Sequence, residues 1–201
     1  MAYYPVFLEL KGKSCLVVGQ GPEADRRAEG LAGSGAEVMR CTAAAGLPGA
    51  AQLEAVTLVF FCEPDDERLQ DAVSRARGKG CLVTVSDRAE FSDFVMGAAA
   101  TQGPITVAVS TAGQSPALAR SLRDSIDRDL GAGGARAAEV MGRLRPLVAR
   151  EVEPQAERAR VYRSILDGGL VEMLRKGHEE EAVRLIEGVV GMTLDRGELG
   201  I

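Results

Sequence analysis

The stretch Ser14-Cys15-Leu16-Val17-Val18-Gly19-Gln20-Gly21-Pro22-Glu23-Ala24 decides how the rest of the chain is read. An apolar run ends in a GxGxxA turn, and a helical pattern follows from about Glu23 to Ala32. A short apolar run without alternation fits a strand buried on both faces. In such a strand–turn–helix unit the first glycine permits the tight turn and the second lets backbone approach a pyrophosphate. The small third residue lets the helix pack on the strand, and the helix N-terminus offers N–H donors and the positive end of its dipole. Gly19, Gln20, Gly21, Pro22, Glu23 and Ala24 are therefore candidate dinucleotide-binding residues. An acidic residue closing the second strand, about 20 residues on, would hold the adenine ribose. Arg40, Cys41 and Thr42 stand there instead. Arg40 can meet a 2′-phosphate, so the choice between NAD and NADP is open on these residues.

Working outward, further apolar runs lie at Glu37 to Cys41, Val56 to Cys62, Cys81 to Val85 and Ile105 to Val109. Between the middle runs, Leu69, Ala72, Val73 and Ala76 repeat at helical spacing after Pro64 and Asp65. Strands separated by helices predict an α/β fold, a Rossmann-like five-stranded parallel sheet, over residues 1–113. From 114 to 201 the pattern is all helical, and this part is read as a dimerisation and C-terminal region. Ser115-Pro116 places a capping residue before a first-turn proline, and Leu118, Leu122, Ile126 and Leu130 form a ladder on one helix face. GAGG at 131–134 reads as a hinge or linker. Helical patterns resume through Val140, Leu144, Leu147 and Val148, then Val161, Ile165 and Leu166 to Gly168-Gly169, then Leu170–Lys176 and Glu179–Val190.

Composition bounds the function. The 201 residues are 46% hydrophobic and 26% charged, ordinary for a chain that buries a core. A net charge of −5 and 4% aromatics argue against a nucleic-acid or acidic-membrane partner. An anionic substrate would need a local cluster of cations. The start, MAYYPVFLELKGK, has no signal-peptide pattern, and no run approaches the roughly 18 apolar residues of a bilayer span. The expectation is a soluble cytoplasmic protein. Cys15, Cys41, Cys62 and Cys81 lie inside apolar runs with no metal-ligand spacing, so they read as buried, reduced thiols, with no metal site.

Two further segments carry candidate chemistry. Asp87, in Val85-Ser86-Asp87, follows the fourth strand on the edge where ligands collect in open α/β sheets. A carboxylate there can act as general base while hydride leaves a substrate for a nicotinamide. It can equally be a turn or capping Asp, as Asp93 can. In Ser110-Thr111-Ala112-Gly113-Gln114-Ser115-Pro116, hydroxyls, a glycine and a helix start converge, with Arg120 and Arg123 beyond. Ser110, Thr111, Gly113, Ser115 and Arg120 suit carboxylates, though a capped helix with solvated arginines would read the same. His178 has no catalytic partner in sequence and reads as a surface residue.

Taken in order, these segments resemble the precorrin-2 dehydrogenase / sirohydrochlorin ferrochelatase family, which includes the N-terminal half of bacterial sirohaem synthase. The resemblance spans roughly residues 3–190. YYPVFLELKGKSCLVVGQGPEADRR looks like the family's start, and PDDERLQDAV is similar to its T-D-D…L-N segment, which adds Asp65 to the cofactor-binding candidates. TVSDRAEFSDFVMGA resembles the segment with its catalytic aspartate, here Asp87. GPITVAVSTAGQSPALARSLRDSI is the closest stretch. The resemblance implies NAD-dependent oxidation of precorrin-2 to sirohydrochlorin, a tetrapyrrole substrate, a homodimer, an upstream methyltransferase that supplies precorrin-2 and, in bifunctional members, Fe²⁺ insertion at the same site. Pro22, Asp25, Pro64, Gln70, Thr84 and Arg88-Ala89 depart from the family pattern along the cofactor and substrate edges. Two rivals remain: an NAD(P)-dependent reductase of another small anion, and a non-catalytic scaffold that binds NAD and tetrapyrrole.

Overall fold

A computed structural model describes residues 3–42, 44–45, 49–63, 67–153 and 155–201. The chain divides into two compact units, one ending at Met96 and the other formed by Gly97–Ile201. The boundary expected at 113 therefore falls inside the second unit.

The first unit is built on four parallel strands: β1 (Ser14–Val18), β2 (Glu37–Cys41), β3 (Val56–Phe61) and β4 (Leu82–Val85), in spatial order β2-β1-β3-β4. Helices α1 (Gly21–Gly33), α2 (Ala50–Glu54) and α3 (Leu69–Gly78) connect them. Side chains alternate across a strand, so β1 feeds two cores. Cys15 and Val17 pack with Ala24 and Leu31 of α1 and with Val38, Leu58 and Phe60. Leu16 and Val18 face the other way and pack with Leu53, Val59, Leu69, Val73, Ala76 and Val83. This two-sided burial is why the strand reads as a continuous apolar run. The Phe60 and Phe94 rings meet edge to face at 5.5 Å, closing the α1 side.

The α/β class and the helical second half are as expected, but the parallel sheet has four strands, not five. Ile105–Val109 (β6) pairs antiparallel with Ala98–Gln102 (β5), with Gln102 opposite Ile105 and Ala98 opposite Val109. Two features explain this. A parallel fifth strand needs a long crossover, whereas Gly103 (φ +54°) and Pro104 join β5 and β6 by a two-residue turn. The edge of β4 is also already satisfied: Val83 N–H donates to Asp93 Oδ2 (2.9 Å) and Val85 N–H to Ser92 Oγ (2.9 Å).

In the second unit the hairpin packs on α4 (Pro116–Glu151), followed by α5 (Gln155–Asp167), α6 (Leu170–Arg175), α7 (Glu179–Val190) and α8 (Arg196–Leu199). The GAGG segment is a kink inside α4, not a linker. Gly131 alone leaves helical geometry (φ 48°, ψ −168°), while Gly133 and Gly134 are buried. Gly133 has no room for a side chain, because a Cβ there would lie 2.6 Å from the Val171 carbonyl oxygen of α6. Val140, Leu144 and Val148 of α4 then pack with Ile165, Leu170, Ala182 and Ile186 in one core. No helix of the described residues is long and apolar enough to cross a membrane.

Candidate active site

The carboxyl edge of the sheet is tied strand to strand. Gly19 N–H donates to the Cys41 carbonyl, Cys62 N–H to Val18 and Ser86 N–H to Phe61, each at 2.9 Å. Gly19 sits at φ +131°, and a Cβ there would come within 3.0 Å of the Glu63 backbone nitrogen. Only glycine fits that position. Gly21, at φ +80°, has nothing within 4 Å of where a Cβ would stand, so its backbone is open to a ligand. Gln20 is extended at the N-cap of α1, and Pro22 lies in the first turn. A cradle that only glycine can form, beside an open backbone and a helix start, fits a pyrophosphate. Pro22 removes one of the N–H donors that helix would otherwise offer.

Three acidic side chains border this turn. Glu63 Oε2 accepts from Gln20 N–H at 3.3 Å. Glu23 Oε1 accepts from Ser86 Oγ at 2.7 Å and pairs with Arg27 at 3.6 Å. Asp25 pairs with Arg40, Nη2 to Oδ1 2.7 Å. The sequence reading had none of these partnerships, because each joins residues on different elements or different turns. Asp65 lies outside the described residues. Ala24, near the start of α1, is fully buried against the sheet, the packing role its small size allows.

The Glu23–Ser86 bond places Asp87 on the same edge as the glycine turn. Asp87 is exposed, in the left-handed region at φ 58°, in a turn closed by Arg88 N–H to the Val85 carbonyl at 3.3 Å. Aspartate tolerates that region better than most non-glycine residues. Its carboxylate makes no hydrogen bond or ion pair among the described residues. Asp93 is the opposite case. It accepts from Arg77 Nε and from Val83 N–H (3.0 and 2.9 Å), a stitch that fixes the end of α3 to β4. Of the two aspartates weighed from sequence, only Asp87 has its charge available to a ligand.

The loop from Ser110 to Ser115, in the other unit, is held by its own hydroxyls. Ser110 Oγ accepts from Ala112 N–H (3.2 Å), Thr111 Oγ1 from Ser115 N–H (3.1 Å) and Ser115 Oγ from Leu118 N–H (3.2 Å). Each oxygen already accepts, so each O–H remains a donor, the polarity a carboxylate needs. Ala112 (φ 51°) and Gly113 (φ 82°) turn the backbone sharply between them. Arg120 is exposed with no partner among the described residues, whereas Arg123 is committed to the Ala99 carbonyl (2.8 Å) and Asp124 (2.6 Å).

The remaining polar and titratable candidates are structural. All four cysteines are free thiols. Burial pushes each thiol pKa up, so all stay protonated and weakly nucleophilic near neutral pH. His178 is exposed at the N-cap of α7, 3.5 Å from Glu181. Glu179, Glu180 and Glu181 fill the first turn of that helix, where its dipole favours them. No group of three His, Cys, Asp or Glu among the described residues is placed to hold a metal ion.

With that geometry in place, comparison with known proteins accounts for nearly the whole chain. A family model described as "Putative NAD(P)-binding" matches residues 6–98. A sirohaem biosynthesis protein central model matches 102–128, and a sirohaem synthase dimerisation region model matches 135–188. The chain carries, in order, an NAD(P)-binding match and the central and dimerisation segments of sirohaem biosynthesis proteins. Sirohaem synthase of Thioalkalivibrio sulfidiphilus is 32% identical over 217 residues, which cover 100% of this chain and 44% of the relative. That of Nitrosococcus oceani is 28% identical over 218 residues, 99% of this chain and 47% of the relative. The chain thus spans under half the length of these curated relatives. A solved structure of SirC, a precorrin-2 dehydrogenase, shares the fold, with a TM-score of 0.67 at 22% identity over 92% of this chain and 100% of that one. The family resemblance read from the sequence holds. Its glycine turn falls in the NAD(P)-binding match, and the Ser110–Arg120 segment falls in the central match.

Proposed function

We propose that this chain is an NAD-dependent precorrin-2 dehydrogenase that forms sirohydrochlorin. The observation that carries the reading is the pairing of a glycine cradle with an uncommitted aspartate on one sheet edge, in a chain matching an NAD(P)-binding model and then two sirohaem-biosynthesis models in order. Gly19, Gln20, Gly21 and the α1 start would hold the pyrophosphate, with Ala24 packing the helix close and Pro22 and Glu23 shaping its first turn. Arg40 would lie at the adenine ribose, and Asp65 would add a contact after β3. NAD⁺, when bound, supplies the hydride acceptor. Asp87 would take the proton lost from precorrin-2 as the hydride leaves, so substrate gives up one hydride and one proton in all. Ser110, Thr111, Ser115 and Arg120 would bind substrate carboxylates by O–H and guanidinium donors, with Gly113 giving close backbone approach. Precorrin-2 would come from an upstream methyltransferase activity.

A homodimer is part of the same reading. The dimerisation-region match supports it, and so does the first half of α4, which turns its apolar side outward. Leu118, Leu122 and Ile126 are exposed there, a face a second copy would cover.

Anaerobic incubation with precorrin-2, with and without NAD⁺, tests the reading, following sirohydrochlorin and NADH together. Equal amounts of both, dependent on NAD⁺, are expected. Asp87→Asn should then lower kcat at least about 100-fold. Binding of NAD⁺ and tetrapyrrole without turnover would replace the enzyme by a scaffold, and binding of neither would overturn the reading. Adding Fe²⁺ to the product reports the second activity, metal insertion, in which Asp87 would accept pyrrole protons.

A further inference from the structure

We infer that Asp25, held in place by Arg40, selects NAD over NADP in this chain. The inference rests on the cofactor reading above. In a Rossmann unit the end of the second strand carries the group that reads the adenine ribose: a carboxylate takes the 2′-hydroxyl of NAD, while an arginine accommodates the 2′-phosphate of NADP. Arg40 occupies that end, opposite Val17 in the β1–β2 register. By position alone it would favour NADP.

The structure changes that reading. Val38 packs on the α1 side of the sheet, with Ala24 and Leu31. Strand alternation puts Arg40, two residues on, on the same side. There its guanidinium is already bonded to the Asp25 carboxylate of α1 at 2.7 Å. The carboxylate that other NAD sites take from the strand is thus supplied here from the helix, and Arg40 fixes its place. A carboxylate has about four acceptor sites and the pair with Arg40 uses one, so a ribose hydroxyl can still donate to Asp25. A 2′-phosphate would have to break the pair or lie against a like charge. The side chains are 44% and 53% exposed, so the pair contributes little to stability. Variants at either position should fold.

Calorimetric titration of NAD⁺ and NADP⁺ into the wild-type chain, Asp25→Asn and Arg40→Ala tests this without turnover, with circular dichroism as the folding control. Wild type should prefer NAD⁺. Asp25→Asn should shift the NADP⁺-to-NAD⁺ affinity ratio at least about tenfold toward NADP⁺, the scale of one hydrogen bond to a charged group. Arg40→Ala should weaken NAD⁺ with no gain for NADP⁺. A wild type that prefers NADP⁺, or an unchanged ratio in Asp25→Asn, would overturn the inference while leaving the dinucleotide site intact. A wild type that binds neither cofactor would overturn the cofactor reading, and this inference with it.

Discussion

Two stretches of α4 carry the same spacing of apolar residues and meet opposite environments. Leu118, Leu122 and Ile126 recur every four residues and are 51%, 45% and 38% exposed. Val140, Leu144 and Val148 also recur every four residues and are essentially buried, under α5 to α8. The first half is turned inside out with respect to the hairpin. It is Arg123 that reaches the Ala99 carbonyl (2.8 Å), and Asp127 that accepts from the Gln102 amide (2.8 Å), so polar side chains face β5 while leucines face away. Helical periodicity therefore identifies a face without identifying what covers it. The chain itself covers one ladder. The other, in the reading proposed above, waits for a second copy.

The sharpest way to break this comparison is to truncate one rung of each ladder. Leu144→Ala removes a fully buried side chain and leaves a cavity, so it should cost about 2–5 kcal/mol in chemical denaturation at fixed protein concentration. A loss below 1 kcal/mol would mean that the buried half of α4 is not the core of its unit. Next in size comes Gly133→Ala, which probes the kink between the two halves. Its Cβ would meet the Val171 carbonyl at 2.6 Å and Arg175 Cβ at 2.7 Å, and backbone cannot yield as a flexible side chain does. Overpacking of this kind costs about 1–3 kcal/mol, despite the usual helical gain of alanine over glycine. Unchanged or raised stability would show that α4 and α6 are not packed so closely.

The same contrast explains what the sequence could and could not tell. The central strands β1 and β3 were legible because each is buried on both faces and reads as an almost unbroken apolar run. The edge strands β2 and β4, only partly buried, were legible because each still carries a short run of branched or apolar residues between turn signals. β5 was not, because Ala98-Ala99-Ala100-Thr101-Gln102 has little of the branched or aromatic character that marks a strand. Missing it made Ile105–Val109 look like a fifth parallel strand. The Gly103-Pro104 turn between them was the available signal. In the site, the glycine turn and Asp87 were legible as local patterns at an element boundary. The Glu23–Ser86 and Asp25–Arg40 partnerships were not, since they join residues 63 and 15 positions apart and depend on which strand lies beside which. Asp25 was visible only as an unusual residue in the cofactor helix, and its role as Arg40's partner needed the register of β1 against β2.

The smallest effect on the folded chain should come from the exposed ladder, and that makes it the most discriminating. Leu118→Ser with Leu122→Ser removes apolar surface that lies largely in water, so no cavity forms within the chain. At a concentration where the wild type is monomeric, the double variant should keep its unfolding midpoint within what about 0.5 kcal/mol allows. If a second copy covers this face, sedimentation should show a different outcome at higher concentration: dimer for the wild type and monomer for the variant. The two measurements separate the reasons an apolar stripe can exist. A variant destabilised even as a monomer would mean the ladder is packed within its own chain. A variant that dimerises as strongly as the wild type would place the subunit contact elsewhere, and the 135–188 region would be the next surface to alter.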